Sequence, residues 1–183
     1  MQLSAEGLDL IKKSEGFRDH LYRDVAGFPT IGYGHLIKPT ESFPGGIAEP
    51  ITEPQAAAIL AADVQDAEQA VARLVKVVLT QGQFDALVDF CFNLGAHRLA
   101  SSTLLRELNA GHHDAAAQQL FAWDHAGGAV NSGLKARRQA EFDLWTRSAW
   151  TMTASTRDAE ANLASAKPPA AIATTRQKTN AAS

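Results

Sequence analysis

The chain has 183 residues, 45% of them hydrophobic, with 7 Pro, 13 Gly and a formal net charge of −3. That length and apolar fraction suit a globular domain with a proper core, and no apolar run is long enough to span a membrane. Residues 1–150 hold 13 Lys/Arg against 18 Asp/Glu, and such an acidic body argues against duplex nucleic acid as a partner.

The first residues, MQLSAEGLDLIKKSEGF, place charges too early and too often for a secretory signal. Synthesis in a reducing cytosol is therefore expected. A lone cysteine, Cys91, fits that setting as a buried structural thiol. Ser4 can cap a short helix carrying Leu8, Leu10 and Ile11 ahead of Phe17. From Tyr22 to about Pro50, turn signals at Ala26-Gly27, Pro29, Pro39 and Pro44-Gly45-Gly46 separate short β-prone runs, which predicts a small hairpin sheet.

From Thr52 onward the pattern reads as helix throughout. Thr52-Glu53-Pro54-Gln55 is a capping box with an early proline. Leu60, Val64, Ala67, Val71, Leu74 and Val78 predict one stripe on a single connecting helix of about five turns, long enough to bridge two lobes. Thr80-Gln81-Gly82-Gln83 caps the next helix, with Phe84, Leu87, Val88, Cys91 and Leu94 on one face and Gly95 as its stop. Further helices are predicted over 102–109, 114–123 and 132–147. After Trp150 the composition shifts to Ala, Thr, Ser and Pro without aromatics, so 151–183 is expected to be a mobile tail, its helix-tolerant part near 157–166. The expected fold is α+β and mainly helical over 1–150. It has a small sheet lobe at about 17–51, a connecting helix, a helical lobe, and a cleft between the lobes.

Within the sheet region, PTIGYGH (29–35) reads as a strand stripped on one side. Strand alternation puts Thr30, Gly32 and Gly34 on one face, with Ile31, Tyr33 and His35 on the other. Glycines weaken a strand unless another group must come close. Glu15, at the end of the first helix, precedes Asp24 by nine residues, and Thr30 follows six later. Two carboxyl groups in different surroundings are the minimum equipment for cleaving a glycosidic bond, one donating a proton and the other staying ionised. Partial desolvation near Phe17 suits Glu15 to the first role. A polar turn suits Asp24 to the second, with Thr30 helping to hold a water.

The run SEGFRDHLYRDVAGFPTIGYGH resembles the active-site segment of phage-type lysozymes, the endolysin family grouped as glycoside hydrolase family 24. ITEPQAAAILAADV, FDALVDFCFNLG, STLLRELNAG and GLKARRQAEFDLW continue the resemblance in order across about residues 3–147. It implies a two-lobed lysozyme fold acting on the β-1,4 bond between N-acetylmuramic acid and N-acetylglucosamine of bacterial peptidoglycan. It implies Glu15 as general acid, Asp24 and Thr30 as the water-orienting pair, and a sugar against a Gly32/Gly34 floor. Leu36, Phe92, Asn93 and Thr103 match cleft-lining positions, although Leu36 and Phe92 also read as core. The resemblance further suggests Asp63 as the partner of His35, an inverting outcome, no metal or cofactor, and a monomer. The enzyme would accumulate in the host cytosol until a separate holin permeabilises the membrane.

Lys135, Arg137 and Arg138 form a basic face that could draw the chain to an anionic wall. One arginine, Arg138 ahead of Arg137, is expected to reach Glu15 or Glu141. His112-His113 reads as a solvated turn, and Trp123, Trp145 and Trp150 as core. Two rival functions stay open: an idle peptidoglycan-binding module on the same fold, and a chitin or chitosan hydrolase.

Overall fold

The computed structural model describes residues 1–24, 26–43, 46 and 49–147; the tail and Trp150 lie outside them. Helix α1 (Ala5–Glu15) leads into an antiparallel sheet of β1 (Arg18–Arg23), β2 (Pro29–Gly32) and β3 (His35–Leu36) in that spatial order. Helices α2 (Glu53–Asp63), α3 (Gln65–Leu74), α4 (Gln81–Leu94), α5 (Ala96–Ser101), α6 (Thr103–Asn109) and α7 (His113–Gln118) follow. A 3-10 turn (Gln119–Trp123), a short hairpin of β4 (His125–Ala126) and β5 (Ala129–Val130), and a helix α8 over 132–147 complete the body. No described helix is long and apolar enough to cross a membrane.

The helix starts follow local chemistry. Ser4 accepts from the Gly7 N–H, and both Thr52 and Thr80 make complete capping boxes with Gln55 and Gln83. Gly16 and Gly95 end α1 and α4 at positive φ, where a side chain would be strained.

Two apolar clusters define two lobes. Ile11, Ile31, Tyr33, Ile37, Ile51, Leu60 and Val64 pack under the sheet. Val71, Phe84, Leu87, Phe90, Leu99, Leu104, Leu108, Leu120 and Trp145 fill the helical lobe, and Phe92 packs against both clusters. Each fully buried large apolar side chain contributes about 1.5–3 kcal/mol of transfer free energy.

Two expectations need correction. The connector is two helices meeting at Val64 rather than one, because its apolar residues change allegiance there. Leu60 and Val64 belong to the sheet core, whereas Ala67, Ala70 and Val71 belong to the helical core. It also stops at Leu74. Asn109 Nδ2 donates to the Leu74 carbonyl at 3.0 Å, and its Oδ1 accepts from the Lys76 N–H at 2.8 Å. The predicted last stripe residue, Val78, is 89% exposed. Nor is everything after Thr52 helical. Gly127 and Gly128, both at positive φ, make the two-residue turn that a tight hairpin requires.

His35 ties the sheet to the connector as expected. Its Nδ1 lies 2.8 Å from Asp63 Oδ2, and its Nε2 lies 3.0 Å from Glu41 Oε2, a second partner the sequence did not announce. Burial works against the charged ring, but the bonds to Glu41 and then Asp63 outweigh it and raise the His35 pKa above its usual value. The folded ring thus holds its proton more tightly than the unfolded one. Its contribution is whole below pH ~6.5 and fades as pH climbs through the raised folded value. His35→Asn is expected to lower urea-unfolding stability by about 2 kcal/mol at pH 6, and by clearly less at pH 8.5. An equal loss at both pH values would show that the ring's charge is irrelevant.

Candidate active site

Glu15 is the last residue of α1, and its side chain is 25% exposed. Its Oε1 accepts a hydrogen bond from Arg137 Nη1 at 2.8 Å. Its Oε2 faces the β2–β3 turn: a Cβ built on Gly34 would lie 3.6 Å from that oxygen. Arg137, from α8, also gives Nε and Nη2 to the two oxygens of Asp89 on α4, at 2.9 and 2.8 Å. Burial opposes charge on Arg137, but the Asp89 hydrogen bonds, the Asp89 charge and then Glu15 reverse that and hold the guanidinium well above its ordinary pKa. It is a permanent cation.

The arginine assignment is therefore corrected. Arg137 takes Glu15, while Arg138 approaches Glu141 at 2.6 Å, donates to Asn93 Oδ1 at 3.1 Å and lies 5.1 Å above the Phe90 ring. Adjacent residues on a helix point about 100° apart, so Arg137 reaches toward α1 and Arg138 inward. Spacing from Glu141 alone could not choose between them.

Asp24 and Thr30 are built into one hairpin through the backbone of Phe28. Asp24 Oδ1 accepts from the N–H groups of Ala26 (2.9 Å) and Phe28 (2.8 Å), and the Asp24 N–H returns to the Phe28 carbonyl at 3.0 Å. The same carbonyl accepts from Thr30 Oγ1 at 3.0 Å. The Thr30 proton is thus directed at backbone, which leaves its oxygen as an acceptor. Asp24 is half-buried, whereas Thr30 is only 2% exposed.

The bare-face picture of PTIGYGH does not hold. Strand β2 ends at Gly32, and Tyr33-Gly34 turn the chain back so that Thr30 pairs Leu36 and Ile31 pairs His35. Gly32 faces inward: a Cβ there would meet Ala56 Cβ at 3.3 Å and Ile51 Cδ1 at 3.4 Å. Only Gly34 is exposed. Leu36 is 52% exposed on β3, Phe92 lines a cavity of about 290 Å³ with Asp63 and Cys91, and Thr103 opens α6 half-buried. Asn93 has its carbonyl oxygen engaged by Arg138, so its amide N–H groups are the ones left to bond outward.

Asp89 and Glu41 were missed. Asp89 had a signal: it sits with Asp85 at i, i+4 in the otherwise apolar stretch from Phe84 to Phe92, and both are buried. Glu41 lies in a loop and had none.

A sheet lobe and a helical lobe, with a carboxyl group at the end of the first helix and an aspartate in the adjoining hairpin, define a lysozyme-like protein. The Phage lysozyme family profile matches residues 12–141. The chain is 39% identical over 140 residues to the endolysin of Salmonella phage P22, covering 76% of this chain and 94% of that protein. It is 42% identical over 150 residues to the endolysin of Bacillus phage B103, covering 79% of this chain but only 54% of that longer protein. A crystal structure of a P22 lysozyme mutant superposes with a TM-score of 0.72 at 38% identity, covering 80% of this chain and 99% of that one. The chain belongs to the phage lysozyme family, and it is a lysozyme-type glycoside hydrolase.

Proposed function

We propose that this enzyme is an endolysin-type muramidase. It would hydrolyse the β-1,4 bond between N-acetylmuramic acid and N-acetylglucosamine in peptidoglycan, with inversion. The carrying observation is the division of labour at Glu15: Oε1 is held by Arg137, while Oε2 is aimed at the Gly34 turn. In this reading the proton sits on Oε2 and passes to the glycosidic oxygen as the C1–O bond breaks. A water on the opposite face attacks C1, giving one proton to Asp24 while Thr30 Oγ1 accepts its other O–H. An inverting enzyme leaves about 6.5–9.5 Å between its carboxyl groups for that water. Leu36, Phe92, Asn93, Thr103 and the exposed Gly34 are the proposed sugar contacts. Action on the wall would follow release of the protein from the host cytosol by a separate membrane-permeabilising partner.

Digestion of purified peptidoglycan, followed by borohydride reduction and mass spectrometry, tests the bond assignment. Muramitol at the new ends is the expected result, and reduced glucosamine ends would overturn it. Proton NMR of the first turnovers should record the α-anomer; an initial β-anomer excludes inversion.

A further inference from the structure

Helix α4 carries two buried aspartates with different duties. Asp85 accepts from the backbone N–H and hydroxyl of Ser4, fixing the start of α1. Asp89, 0% exposed, faces Arg137 instead and binds its Nε–Nη2 edge with both oxygens. A planar guanidinium locked along one edge has its third nitrogen aimed. That nitrogen, Nη1, is the one on Glu15.

Glu141 completes the cluster. It is 0% exposed, and among the described residues neither of its oxygens has a hydrogen bond of sound geometry, despite the close Arg138 ion pair. Asp89 lies within bonding reach of it. Burial first, then the neighbouring Asp89, push Glu141 well above the usual carboxylate range, against the pull of Arg138.

We propose that Asp89 is a positioning residue for the acid, acting through Arg137: it aims Nη1 at Glu15 and offsets the guanidinium charge so that Glu15 can carry the proton it donates. The proposal rests on Glu15 being the general acid. Without Asp89, an uncompensated cation would stand 2.8 Å from Glu15 and favour the carboxylate, which cannot donate. The other charged groups on these elements include Lys12 and Lys13 in the last turn of α1, Asp85 on α4, and Arg138 and Glu141 on α8. Among the described residues, Arg137 is the cation that bonds Glu15.

The test is the pH dependence of kcat/KM on soluble peptidoglycan fragments. Asp89→Asn is expected to move the alkaline limb about one unit toward lower pH. It should also lower kcat about tenfold while changing KM less than about twofold, since the contact is to the acid and not to the substrate. Glu141→Gln, which leaves both Asp89 bonds to Arg137 in place, should leave the limb within about 0.3 units of wild type. An unmoved limb in Asp89→Asn overturns the proposal. So does a limb displaced by more than about half a unit in Glu141→Gln, a variant that stays informative if Asp89→Asn fails to fold. Glu15→Gln in parallel separates the two ideas. If that variant stays active, the acid reading fails. If it is dead and the limb in Asp89→Asn stands still, only the present proposal fails.

Discussion

Glu15→Gln is expected to reduce clearing of outer-membrane-permeabilised Gram-negative cells by about a hundred- to ten-thousandfold while leaving the fold intact. The amide keeps the length of the side chain and an oxygen for Arg137 Nη1, so the α1–α8 contact survives. It has no acidic proton, so the glycosidic oxygen must depart as an alkoxide. General acid catalysis is worth about 10²–10⁴-fold, and among the described residues two other carboxyl groups are committed elsewhere: Asp89 is fully buried against Arg137, and Asp24 is bound into its own hairpin. Wild type and variant should share a melting temperature within a few degrees, because the replaced group is partly exposed. Chitin assayed in parallel addresses one rival, since faster turnover of chitin than of walls would move the substrate assignment there. Equal clearing by both proteins would end the acid assignment and reopen the idle-module reading.

Phe90→Ala is expected to have the largest effect on stability, about 3–5 kcal/mol by urea unfolding with the slope unchanged. The ring is 0% exposed in the helical core and meets Trp123 edge-on at 5.4 Å. It also lies 5.1 Å beneath the Arg138 guanidinium. Truncation therefore opens a cavity and removes a cation–π contact from an arginine that is itself fully buried. A domain holds only about 5–15 kcal/mol in total, so this variant should be near unfolding at 37 °C. Val78→Ala, at an 89% exposed position once expected to lie on the connector stripe, should stay within about 0.5 kcal/mol of wild type. Similar losses at both sites would mean that burial in this structure does not govern stability.

The two cases also mark where sequence reading succeeds. Capping is local, so Ser4, Thr52-Gln55 and Thr80-Gln83 could be found from three- or four-residue patterns. The starts of α1, α2 and α4 were legible for that reason. Ends were harder. Leu74 ends its helix because Asn109, 35 residues away, takes over the last carbonyl, and no pattern near Leu74 records that. The strand PTIGYGH misled because period-two alternation assumes a strand that continues. The positive φ values at Gly32 and Gly34 turn the chain instead, and they send the first glycine into the core and the second toward Glu15.

By itself, then, the sequence determined the capped starts of α1, α2 and α4, the mainly helical class with a small sheet, and which residues are chemically able to donate a proton or hold a water. Those depend on residue type and short-range geometry. Only the tertiary structure decided which arginine holds Glu15, that the connector breaks at Val64, and that Asp89 stands behind that arginine. Each depends on which distant groups share a low-dielectric interior, where a buried charge must find its partner and no spacing along the chain measures that distance.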